Sequence, residues 1–210
     1  MTVRSAGIAI GLMFASCLLF LVALEIGLRL FDPQIMEPHP NGMWELSPTR
    51  GCRLTPAFDG YHWYKEFNVR ITISEQGLRD RTFGSKAANV CRILALGDSF
   101  TFGFGVEGYE AYPKRLEALF YGTRKEYEVI NAGFPGYGTL QELRYLEEEG
   151  LAFRPDVVLI GFFEVNDYED NLRDPDRYKL VNGFLYDRIG YEQAEKARQA
   201  APGRLPIPFK

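Results

Sequence analysis

Three short apolar runs, spaced so that a helical pattern fits between each pair, constrain this chain more than any other feature. The runs are Cys91-Arg92-Ile93-Leu94-Ala95-Leu96, Tyr127-Glu128-Val129-Ile130 and residues 156–163, the last apolar through nearly its whole length. Each has the length of a strand and is bounded by glycine or turn residues. Between them, residues 111–121 place Pro113 where a first helical turn accepts it, and residues 139–150 read as a second helix. Strand and helix alternating in this way predict an α/β fold with a parallel sheet. With 210 residues, 46% of them hydrophobic, the chain is long enough for one sizeable core plus appendages.

In α/β folds, reacting groups gather just past the carboxyl ends of the strands. Gly97-Asp98-Ser99-Phe100-Thr101 follows the first run, Asn131-Ala132-Gly133-Phe134-Pro135-Gly136 closes the second, and Asn166-Asp167 follows the third. A serine hydroxyl is a poor nucleophile until a base removes its proton. Its attack on an ester carbonyl builds negative charge on oxygen, which needs donors fixed in advance. Serine, glycine and asparagine at three successive strand ends are the parts for both tasks. Each also has a plainer use: Ser99 as the cap of the next helix, Gly136 as a tight turn, and Asn166 as a helix cap. Asp98 reads as a brace of its turn and Asp167 as structural.

These three blocks, in this order, resemble the SGNH (GDSL-type) hydrolase superfamily over roughly residues 90–168. An apolar N-terminal segment followed by a small β segment is similar to the membrane-anchored bacterial members. The resemblance implies an SGNH-type, flavodoxin-like three-layer α/β sandwich and an esterase. Ser99 would be the nucleophile, and the Ser99 N–H, the Gly136 N–H and the Asn166 amide would form the oxyanion hole. It implies an ester-bearing substrate, such as an acylated glycan or a lipid; no metal-ligand cluster or phosphate loop is visible in the sequence, so no cofactor is expected. Acyl transfer by the same serine, and a non-catalytic, membrane-tethered glycan-binding module, are the alternatives.

Two departures stand out. Glu164 takes the place of a glycine usual two residues before the asparagine, and a carboxylate there would narrow the pocket or select a polar substrate. The family's Asp-x-x-His block has no counterpart. His39 and His62 both precede Ser99 and read as surface or core residues. Run 156–163 would also be left as a long apolar sheet edge, which proteins normally cover, so the residues are expected to be the N-terminal part of a longer protein. Gly103-Phe104-Gly105-Val106-Glu107-Gly108 spells a dinucleotide fingerprint, but it does not lead straight from a strand into a helix. A net charge of −4 argues against nucleic acid as a partner.

Residues 5–24 carry no charge, and a helix of that length spans about 30 Å, the thickness of a bilayer's hydrocarbon core. The run passes directly into Glu25-Ile26-Gly27-Leu28-Arg29 without a small-residue cleavage site, which predicts an uncleaved signal anchor with Glu25 and Arg29 paired on one helix face. Arg4 and the terminal amine then place the N-terminus in the cytoplasm and the rest outside, on the periplasmic or cell-surface side. The expected organisation is an anchor over 1–31, a proline-broken linker over 32–60, a small β segment over 61–88 and the hydrolase-type domain over 89–210. Val69, Ile71 and Ile73 alternate as in a half-buried strand or hairpin, and Gly77-Leu78-Arg79-Asp80 reads as a turn. Asn182-Gly183 predicts a hairpin, followed by a short polar helix over 191–200. Whether Cys52 and Cys91 pair stays open.

Overall fold

A computed structural model describes residues 3–31, 39–64 and 66–200, in two compact units, Met1–Met36 and Glu37–Lys210. The described residues of the first unit form one helix, α1 (Val3–Phe31). Its stretch Ile10–Leu28 has a mean hydropathy of 2.3, and it is long and apolar enough to cross a membrane, a test that a signal sequence also passes. The expected Glu25–Arg29 pair and the Arg4 flank involve side chains outside the described residues, as do linker residues 32–38 and the tail 201–210.

The second unit opens with two antiparallel hairpins, β1 (Trp44–Ser47) with β2 (Gly51–Leu54), and β3 (Asp59–Trp63) with β4 (Asn68–Thr72). The first hairpin falls inside the stretch expected as linker. Its strands are too short for alternation to register in the sequence, yet Met43, Trp44, Cys52 and Leu54 are all buried. The buried Arg50 pins its turn onto Glu148 and Glu149.

The rest follows as β5 (Val90–Gly97), α2 (Ser99–Phe102), α3 (Tyr112–Leu119), β6 (Glu126–Gly133), α4 (Thr139–Glu148), β7 (Val157–Gly161) and α5 (Asp167–Asp170). A hairpin of β8 (Tyr178–Val181) and β9 (Phe184–Asp187), with Asn182 and Gly183 both at positive φ, leads into α6 (Arg188–Ala200). Both the hairpin and the helix match the sequence reading.

β5, β6 and β7 form a parallel sheet in the order β6-β5-β7. Because side chains alternate along a strand, β5 feeds two cores. Leu94 and Leu96, with Ile130 and Ala132 of β6, face a core shared with Trp44, Leu54, Ile71 and Tyr145. Ile93 and Ala95, with Val129, face Leu116 of α3 and Phe120. A core on each face makes the architecture three-layered. The hairpins share the first core, so packing shows no break at the boundary expected near residue 88. β7 lies at the edge of this sheet, with Val157 47% and Ile160 57% exposed. Cys52 and Cys91 are both buried free thiols.

Candidate active site

Gly97, Gly133 and Gly161 stand level with one another at the carboxyl ends of the three strands. A Cβ at Gly133 would lie 2.1 Å from the Phe102 backbone nitrogen, and one at Gly97 would lie 1.9 Å from the Thr101 hydroxyl. The row of glycines is therefore what lets α2 settle onto the strand ends. Asp98, fully buried, caps that helix by accepting the Phe100 N–H at 2.9 Å. The capping role considered for Ser99 thus belongs to Asp98, and Ser99 stands half-buried in the first turn.

The turn at Gly77–Asp80 braces this arrangement from behind. Buried Arg79 donates to the carbonyls of Gly103 (2.6 Å), Val106 (2.7 Å) and Phe102 (3.2 Å), closing the far end of α2. Burial lowers its guanidinium to about 10, which leaves it cationic at neutral pH. Asp80 accepts the Asn131 N–H at 2.9 Å and pairs with Lys114 at 3.0 Å. The Asn131 side chain in turn accepts the Gly133 N–H at 3.0 Å. Sequence reading found only a turn here, because the carbonyls that Arg79 serves are distant in the chain. Gly103 ends α2 in the left-handed region, and residues 103–108 form turns and a single short 3-10 turn, not the start of a nucleotide-binding helix.

Ser99 and Gly136 line one cavity of about 340 Å³. Gly136 has φ +83, and a Cβ there would meet nothing nearer than the Tyr178 hydroxyl at 3.6 Å. It is the left-handed backbone, rather than lack of room, that asks for glycine. Trp44 and Phe104 form further walls, and Tyr178 and Leu185 close the cavity from the β8–β9 hairpin. His39, read from the sequence as a surface or core residue, also lines it. Its ring lies 5.7 Å from that of His62, which is buried in the core as expected. Burial, and then His62, lower the His39 imidazole to about 4, so it is neutral at neutral pH. Nothing in the local sequence signals that His39 shares a cavity with Ser99, sixty positions away. Glu164 is exposed and takes no part in the cavity walls, so it does not narrow them.

Asn166 and Asp167 stand outside those walls. The Asn166 amide donates to Asp170 at 2.8 Å and, at the long distance of 3.4 Å, to Asp98 beneath Ser99. It makes no cap bond to α5. Buried Asp167 accepts the Phe163 N–H at 2.7 Å, which fixes the turn that carries Asn166. Burial raises the carboxyls of Asp167 and Asp170. Below them Glu142 of α4 is only 2% exposed, and burial, then Asp167 and Asp98, raise its carboxyl to about 8.

A model of the GDSL-like lipase/acylhydrolase family matches residues 95–204. Two solved structures are similar to the chain: AlinE4, an SGNH-hydrolase family esterase (26% identity, TM-score 0.30), and a mutant of the same esterase (26% identity, TM-score 0.31). Each match covers 41% of this chain and 51% of the other, so the chain spans about half the length of these structures. No curated protein matches.

Proposed function

Because this chain belongs to the GDSL-like lipase/acylhydrolase family, we propose that it is a serine ester hydrolase with Ser99 as its nucleophile. The observation that carries this reading is that Ser99, at the carboxyl end of the central strand, lines a cavity with the left-handed Gly136. In the reaction, Ser99 Oγ bonds to the ester carbonyl carbon, and its proton passes through a base to the departing alcohol as the C–O bond breaks. Water then cleaves the acyl-serine, releasing a carboxylic acid and restoring the hydroxyl. The backbone N–H groups of Ser99 and Gly136, and the Asn166 amide once turned from its carboxylates, serve the developing oxyanion. Asp98 and Asp167 hold the turns that present these groups.

The substrate is an ester, with an acylated glycan or a lipid as the form suited to a cell envelope. α1 is the single membrane pass, the N-terminus is cytoplasmic, and the unit after residue 36 is extracytoplasmic. The apolar stretch within α1 and the charge on its N-terminal side support this placement.

Fluorophosphonate labelling of the full chain tests the proposal. Labelling that disappears in Ser99→Ala and slows about a hundredfold in Asn166→Ala is the expected result. One observation favours a second reading, a non-catalytic binding module: the Asn166 amide is held by two carboxylates and not by the cavity. A folded, unlabelled protein would select it.

A further inference from the structure

Among the described residues, the walls of the Ser99 cavity carry no uncompensated charge. Arg173 is ion-paired with buried Asp170 and hydrogen-bonded to Tyr178, and His39 is a neutral imidazole at neutral pH. Trp44, Phe104 and Leu185 supply apolar surface. A charged group brought into such a space loses water without gaining a partner. The volume, about 340 Å³, lies at the small end of the range of about 300–1,000 Å³ for ligand cavities. The wall on the hairpin side is also stiff. Trp44 and Cys52 are buried, the Tyr137 hydroxyl donates to the Cys52 carbonyl at 2.6 Å, and Arg50 ties the same hairpin to Glu148 and Glu149. In ester cleavage the acyl group stays bonded to serine through both steps, whereas the alcohol must leave. The walled side of the cavity therefore suits the acyl group.

Resting on Ser99 as nucleophile, we infer that this cavity is an acyl pocket for short, uncharged acyl groups, with Trp44 and Phe104 setting the length limit and His39 giving a hydrogen-bonding contact to the substrate. His39 is assigned to binding and not to proton transfer, because its Nδ1 is buried without a hydrogen-bond partner among the described residues. Among the described residues no carboxylate meets that nitrogen, and such a carboxylate is what orients and stabilises a catalytic histidine.

The test uses the full chain with p-nitrophenyl acetate, butyrate and octanoate and the p-nitrophenyl hemiester of succinate, with fluorophosphonate labelling of Ser99 in parallel. The expected result is a kcat/KM at least about tenfold lower for octanoate and for the succinate hemiester than for butyrate. Phe104→Ala, at a side chain 38% exposed and so tolerant of truncation, should raise octanoate relative to butyrate. Trp44→Ala should do the same, with circular dichroism to verify its fold. His39→Ala should raise KM for butyrate severalfold and leave kcat and its pH profile in place. A flat or inverted chain-length profile in a protein that labels at Ser99, or a profile unmoved by Phe104→Ala, overturns the acyl pocket alone. A His39→Ala variant that loses kcat with KM unchanged overturns the binding role of His39. Absence of both labelling and ester turnover overturns the pocket together with the reading it rests on.

Discussion

The two neighbours of β5 carry opposite halves of the candidate site and are built in different ways. On the β6 side, Val129 to Phe134 are buried, Asn131 is tied to Asp80 and Gly133, and the strand leads into Gly136 at the cavity. On the β7 side, Val157, Val158, Ile160 and Phe162 are all exposed, and the strand leads into a turn whose Asn166 is held by carboxylates. The same parallel pairing to β5 therefore supports one side with a core on each face, and leaves the other with Leu159 packed against the second core and its remaining apolar side chains exposed. Ser99 is fixed from three directions: by the glycine row below α2, by the Asp98 cap at its start and by Arg79 at its end. Asn166 is held chiefly by Asp170, whose carboxyl burial raises.

Truncating one buried and one exposed strand residue separates the two sides most sharply. Leu94→Ala, in the fully buried centre of β5, should cost about 2–5 kcal/mol by urea denaturation. Ile160→Ala on β7 should cost no more than about 0.5 kcal/mol. Similar costs at the two positions would mean that β7 is as well packed as β5, and the asymmetry would fall.

Next in size is Gly133→Ala, whose new methyl meets the backbone of α2. It should destabilise by about 1–3 kcal/mol. By displacing Ser99 it should also slow fluorophosphonate labelling about a hundredfold. Labelling at the wild-type rate would show that α2 is not seated by the glycine row.

The smallest effect concerns the acid layer on the β7 side. The Glu142 carboxyl, raised from 4.5 to about 8, keeps its proton in the folded protein at pH values where the unfolded chain has lost it. Its contribution to stability is complete below pH 4.5 and is lost as pH rises towards about 8. Glu142→Gln should therefore flatten the fall in the urea midpoint between pH 5 and pH 8. Asp167 and Asp170, raised in the same direction, leave a residual slope. An unchanged slope in the variant would remove Glu142 from the account.

Much of this molecule was legible from local pattern. β5, β6 and β7, the helices between them and the Asn182-Gly183 hairpin each announce themselves within a dozen residues, because periodicity and turn chemistry act locally. The first hairpin was not legible, since four-residue strands carry too little alternation and what stabilises them is burial against a distant sheet. Arg79 escaped for a related reason. A guanidinium in a turn is ordinary in sequence and becomes a brace only when three remote carbonyls converge on it.

The parallel α/β plan, the apolar N-terminal helix and the positions of Ser99, Gly136 and Asn166 after successive strands all follow from residue order along the chain. Packing is what brings Ser99 and Gly136 into one cavity walled by His39 and Trp44 and turns Asn166 instead to Asp98 and Asp170. Those choices depend on which desolvated groups meet when two faces of one sheet are covered, and residue order does not encode such meetings locally.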